Sequence, residues 1–509
     1  MRRQLAGLIL TVLLLPMYVQ AQEPRLGTID FPSSGNAAAQ PHFNRGVLFL
    51  HSFEYESAAE AFRQAQQADP GFALAYWGEA MTHNHSLWDD RDTASARAVL
   101  RRLAPTTAER RAKAKTERER MYLDAIEQLW AEGSKAERDT AYMLAMEDLT
   151  RRYPDDVEAK AFYALSILGL SNTTRVVSSY MRAAAIAQEI FRDHPNHPGA
   201  AHYIIHSFDD PTHAPLGLPA ARAYSRIAPD AAHAQHMTTH IFVASGMWDD
   251  VVSQNEVAAG LTSWGPGHYT SWLTYGLLQA GRYEEAARRL NAARELAAPR
   301  GTAGARSYLA FMRAYHVINT ERWRDPSLEW TIALQDGWPR ARVADLFLSG
   351  YAAFKRGEIE RGQKALRDLG QLVQRLGDDP VMQVLASELE AVAALRAGDH
   401  AKAVRLMERA TAIEDSMPAE YGPPDIVKPS HELYGELLMA LDRPVDAQRQ
   451  FELALMLAPK RARTLVGLIH AARAAGDTRA VERARAALDQ AWHAADPELV
   501  APRNHRGGN

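Results

Sequence analysis

Apolar residues recur three and four positions apart along nearly the whole chain, with Ala, Leu, Arg and Glu filling the registers around them. The strict alternation of a half-buried strand is almost absent. This patterning predicts an all-α protein. Two stretches break it. Residues 414–430 hold Pro418, Pro423, Pro424 and Pro429, none of which sits inside a helix without breaking it. Within that loop, residues 416–428 are expected to leave the helical array and cover one side of the groove. Residues 500–509 form a polar tail expected to be disordered. The one basic run, Arg101 to Arg120, also carries Glu109, Glu117 and Glu119, and Thr106 and Glu109 have the spacing of a capping box. It predicts a solvated helix and no nucleic-acid surface.

The helices repeat. Gly46, Phe49, Ala58, Phe62, Ala65 and Pro70 have the same spacing as Gly435, Leu438, Ala447, Phe451, Ala454 and Pro459. That is the spacing of the tetratricopeptide helix-turn-helix unit. Small residues let the two helices of a unit touch, the aromatic fills the gap, and proline stops the second helix. Weaker copies cover 123–156, 164–195, 198–229, 232–265, 267–299, 341–376 and 381–415. Gly246-Met247-Trp248, Gly281-Arg282-Tyr283 and Gly398-Asp399 mark the inner turns of three of them. The expected architecture is an α-solenoid superhelix. An extended segment, 22–39, leads into repeats over 40–300 that contain a histidine cluster. Further repeats over 301–499 contain the proline-rich loop.

Composition narrows the setting. Arg2 and Arg3, the apolar run from Leu5 to Leu15 and the small residues around Val19-Gln20-Ala21 read as a secretory signal over 1–21. The run is too short to span a bilayer, and no later apolar stretch is long enough, so a periplasmic or secreted protein with no membrane span is expected. With no cysteine, disulfides, thiolate metal sites and cysteine nucleophiles are excluded. A net charge of −4 gives no sign of a nucleic-acid partner.

The chemistry concentrates in histidine. Nine of the nineteen histidines lie between 194 and 268. His202/His206 and His236/His240 are i, i+4 pairs, one helical turn apart on one face. The two pairs are offset by 236 − 202 = 34 and 240 − 206 = 34, one repeat length, so neighbouring units carry them side by side. Counting back from the turns at Gly246 and Gly281 puts His233, His236, His240 and His268 at places that line the concave groove. Counting from Pro229 instead shifts them toward the core. Converging neutral imidazoles suit copper or zinc, and Asp209 is a further ligand or a partner that orients a ring. If the four paired histidines share a coordination sphere, their ring nitrogens should lie roughly 3–4 Å apart. His83 and His85 are expected to end a helix, His194 and His197 to face solvent, and His213 to fold over the groove mouth. No H-E-x-x-H, G-x-S-x-G or phosphate-binding glycine loop is present.

The stretches HPNHPGAAHYIIHSFDDP, RIAPDAAHAQHMTTHIFVASGMWDD and GHYTSWLTYGLLQAGRY resemble a family of exported bacterial tetratricopeptide proteins. Its members carry HPG-x-x-HY-x-IH-x-x-D-x-P and H-x-x-HMPSHIF motifs. The opening FNRGVLFLHSFEYESAAEAFRQAQQADPGFALAYWGEA and the later EYGPPDIVKPSHELYGELL are similar to the same group, so the likeness spans most of 40–460. It points to His202, His206, Asp209, His233, His236, His240 and His268, and implies a protein type without a mechanism. Thr238-Thr239 replaces the usual Pro-Ser, which bears on how rigidly His236 is held at what reads as a helix start. Three functions fit: a metal-free groove for peptide or protein partners, a metal-dependent enzyme, and metal storage or sensing.

Overall fold

The computed structural model describes residues 23–500, apart from 88–89, 171–174, 263, 298–300 and 420. The signal over 1–21, the sequence turn at Asp89 and the tail beyond 500 lie outside the described residues. Antiparallel α-helices fill the rest, and the strand content among the described residues is one two-residue pair, Asn84–His85 with Asp90–Arg91. The chain is an α-solenoid.

The first unit, Gln40–His51 with Tyr55–Ala68, shows why the repeat spacing exists. A methyl group on Gly46 would lie 2.7 Å from the Phe62 ring, and one on Gly78 of the following helix would lie 2.3 Å from it. Phe451 is held in the same way between Gly435 and Gly467. One aromatic therefore wedges three helices together, and any Cβ at those glycines would drive them apart. The basic run resolves into Thr107–Lys113 and Glu117–Leu129, each opened by a capping box, on Thr106 and on Thr116.

Two expected unit boundaries move. The unit read as 164–195 is formed by Val157–Leu170 and Val177–Asp193, so it starts earlier. Residues 73–113 and 462–491, which carried no assigned unit, also form helices, and Ala303–Thr320 is a long helix that packs on His268–Gln279. The helix His400–Ser416 runs further than its sequence suggested, so the non-helical stretch is 417–429.

First helices of successive units also touch one another, which makes them the inner layer. The coil then closes on itself. Trp248 Nε1 donates to the Lys460 carbonyl at 3.0 Å, Trp492 Nε1 to that of Gln279 at 3.0 Å, and Asp496 N to that of Gly281 at 3.0 Å. At the other end Arg25 pairs with Asp230 at 2.8 Å, Thr28 N donates to Asn196, and Gln40–His51 packs on Pro198–Ser207. Both ends of the chain are thus drawn against its middle, where the histidines lie.

Candidate metal centre

Three inner-layer helices, Pro198–Ser207, Ala232–Ala244 and His268–Gln279, carry the candidate ligands. His202, His206 and His233 form one group, and His236, His240 and His268 another. Within each, one nitrogen per ring lies within 4.8 Å of the others. Both groups have one plan: an i, i+4 pair from one helix and a histidine from the first turn of the next. They adjoin, with ring centroids 5.9 Å apart for His206 and His240 and 6.1 Å for His233 and His236.

The turns at Gly246 (φ +63°) and Gly281 (φ +73°) are where the concave register puts them. The groove they define is closed, however, and His202, His206, His233, His236 and His240 are only 0–9 % exposed. Residues 417–419 and 421–429 form a strap over them. Tyr421 hydrogen-bonds Arg175 at 2.9 Å and Tyr180 at 3.0 Å, and its ring lies 6.4 Å from that of His240. Gly422 (φ +80°) presses so close to Trp272 that a methyl there would lie 2.0 Å from the indole. On the other side Phe53 stands at the turn of the first unit with φ +53°, a left-handed conformation that costs a bulky residue about 1 kcal/mol or more. Its ring packs 4.3 Å from His202, 5.9 Å from His206 and 5.5 Å from His233.

Hydrogen bonds fix which nitrogen of each ring is free to bind. Asn255 Nδ2 donates to the Val251 carbonyl at 3.0 Å and to Thr239 at 3.2 Å, so its Oδ1 must accept the 2.8 Å bond from His236 Nδ1. His240 Nδ1 donates to the Asp209 carboxylate at 2.5 Å. Both Nε2 atoms therefore present lone pairs, and these face each other at 3.2 Å. Two lone pairs at that distance repel unless a cation lies between them, either a proton on His240 or a metal. His202 likewise donates through Nδ1 to the His51 carbonyl at 2.7 Å, leaving its Nε2 as an acceptor 3.0 Å from His206 Nε2. His206 can donate there, so this pair is matched when no metal is bound. His268 Nδ1 shares a 3.2 Å hydrogen bond with the Tyr308 hydroxyl.

Burial favours the neutral form of five of these rings. It pulls His202 and His268 down to about 3, and His206, His233 and His236 well below the ordinary imidazole value. Neutral imidazole with its outer nitrogen anchored is the form that binds metal.

A third buried group, His51, Glu158 and His197, is a contrast. His197 caps its helix by accepting from Ala200 N at 3.1 Å, so its Nε2 donates to Glu158 at 3.1 Å. His51 Nε2 donates to the same carboxylate at 2.6 Å and its Nδ1 accepts from Tyr203 at 2.9 Å. Burial pushes Glu158 up, but the two histidines outweigh it and hold the carboxyl at about 2. Its polar atoms are matched without an ion, and this group is structural.

Several expectations need correction. His197 is buried where solvent exposure was expected, because the cap and Glu158 hold it. His213 bonds Asp210 at 2.8 Å at the start of Ala214–Ile227, and Asp210 in turn pairs with Arg175, which holds Tyr421 of the strap. The helix before His83 ends at Met81, and His85 enters the two-residue strand and stacks on Tyr55. Thr238 and Thr239 lie inside Ala232–Ala244 and not at its start, and Thr239 orients Asn255. Asp209 orients His240 and belongs to neither three-nitrogen group. Sequence reasoning missed Asn255, His51, Phe53 and Tyr308. Only Phe53 left a trace, at the turn place that glycine fills in other units.

No protein-family model matches the sequence, and no curated protein matches it. Among solved structures, the human IFIT1 dimer with PPP-AAAA is similar at 14 % identity over 87 % of this chain and 94 % of that one, with a TM-score of 0.40. Yeast Tom70 is similar at 12 % identity over 92 % of each chain, with a TM-score of 0.34. The P58(IPK) TPR domain gives 12 % identity over 87 % and 99 %, with a TM-score of 0.24. At such scores these likenesses carry no argument about ligand or shape, and the repeat assignment stands on the helices of this chain.

Proposed function

We propose that this is an exported tetratricopeptide-repeat metalloprotein that holds copper or zinc in two neighbouring three-histidine centres. The observation that carries the reading is the meeting of His236 Nε2, fixed as an acceptor by Asn255, with His240 Nε2 at 3.2 Å, and a third histidine of their group, His268, within reach. His202, His206 and His233 repeat that plan one unit earlier. Asp209, Asn255 and the His51 carbonyl hold the outer nitrogens, the arrangement that sets ring orientation in metal sites. Imidazole ligands without thiolate suit copper and zinc.

Three protein ligands leave a tetrahedral ion one position open, which is the plan of catalytic and not of closed structural sites. A metal-dependent enzyme therefore fits better than storage. Export rests on the basic, apolar and small-residue order of the first 21 positions. A peptide-clamping groove has less support, because the strap occupies the face that a peptide would need.

Metal content tests the reading. Purified mature protein dialysed against copper or zinc should retain about two ions per chain. His240→Ala should lose about one with helical content unchanged. No retained metal, together with capture of a peptide partner that His240→Ala leaves intact, would establish the scaffold reading instead.

A further inference from the structure

His268 also stands in the wall of a cleft of about 440 Å³ that opens beside the second histidine group. Trp272, Tyr308, Phe311, Tyr315 and Trp338 are among its walls. Tyr308 meets Trp338 edge-on at 4.8 Å, and Phe311 stacks on Tyr315 with ring centroids 6.1 Å apart. Trp338 is 42 % exposed, a large apolar side chain left at the mouth. Among the described residues lining the cleft the one cation is Arg340, and two carboxylates already take it, Asp379 at 2.9 Å and Asp425 at 2.7 Å. A carboxylate or phosphate ligand would find no free positive charge. Flat apolar walls with several π faces suit an aromatic ring.

On the other side of the strap a second cavity, of about 220 Å³, reaches Asp209. Its lining holds the carboxylates of Asp209, Glu414 and Asp415 and the ring of His431 among apolar side chains, but none of the six clustered histidines. Of these two cavities the aromatic cleft is the one that includes one of them, His268.

We infer that this cleft binds a planar aromatic molecule bearing a hydroxyl group, with the ring among Trp272, Tyr308 and Trp338 and the hydroxyl toward the His236/His240/His268 centre. The inference rests on the proposed metal site for its second half only. A phenol is neutral in water, so it needs no free cation from a cleft whose one arginine is already paired, and its oxygen becomes a metal ligand once its proton passes to solvent.

Calorimetric titration of the full mature chain with three probes of one shape, p-cresol, toluene and 4-methylcyclohexanol, separates the parts. In the metal-free protein p-cresol should bind about tenfold more tightly than 4-methylcyclohexanol, the worth of one to two aromatic contacts. Loading zinc should strengthen p-cresol several-fold and leave toluene unchanged. Trp338→Ala should weaken p-cresol about tenfold, and Trp338→Phe should restore most of it, with metal content unaltered in both.

Equal affinity for p-cresol and 4-methylcyclohexanol, or no binding of p-cresol, would overturn the inference while leaving a measured metal content standing. Equal strengthening of toluene by zinc would overturn the hydroxyl contact. If p-cresol binds and zinc does not, the metal reading fails, the hydroxyl contact falls with it, and the aromatic site stands.

Discussion

At the scale of single residues, the account turns on where protons sit. Val251, Thr239 and Asn255 dictate the tautomer of His236, and Asp209 dictates that of His240, so two acceptor nitrogens are forced together. Asp209→Asn keeps the shape but removes the charge that favours a metal-bound imidazole. It should weaken metal about 10–100-fold, measured by competition with a chelator. Glu158→Gln is the matched control. It leaves an amide NH₂ facing a histidine N–H, so it should lower stability by about 2 kcal/mol and leave metal affinity alone. Unchanged affinity in Asp209→Asn would make that aspartate a structural partner only.

The paired histidines were legible because helical spacing and the repeat period both act on sequence position. Asn255 and Glu158 were not. They reach their histidine partners from other helices, and no periodic signal links them.

At the scale of elements, the strap governs access. Gly422 needs both its positive φ and its missing Cβ, since Trp272 fills the space. Gly422→Ala should lift the strap from the histidines and speed loss of bound metal to a chelator several-fold, with the melting temperature moved by only a few degrees. An unchanged release rate would show that metal leaves by another route. The prolines announced a non-helical segment but not its limits, because helix His400–Ser416 continues until Met417 turns the chain away. Units with a complete glycine–aromatic–proline set were readable from sequence. The 73–113 region was not, because the short strand pair at 84–91 separates its helices and hides the period. Gly78, which completes the Phe62 wedge, belongs to that hidden unit.

At the scale of the whole molecule, closure of the superhelix buries a set of neutral imidazoles that the unfolded chain would expose. His202 and His268 titrate near 3 in the fold and near 6.5 when unfolded. The unfolded chain thus binds more protons between those values. Stability of the metal-free protein should be fully present above pH 6.5 and fall as pH drops toward 3, by up to about 1.4 kcal/mol per pH unit for each such histidine. Glu158 adds a further loss from its unfolded value of 4.5 down to about 2. Urea unfolding at a series of pH values checks this, and a flat profile between 6.5 and 4 would mean that the rings are hydrated. The overall curvature was the least legible feature, because the contacts that close the coil join residues about two hundred positions apart.

The most direct measurement is anomalous diffraction from crystals of the zinc- or copper-loaded protein, recorded on either side of the metal absorption edge. The account predicts one peak bounded by His236, His240 and His268 and a second bounded by His202, His206 and His233, each with nitrogens at about 2.0–2.1 Å. Peaks only at surface histidines, or an empty inner cluster in protein that carries metal, would contradict it.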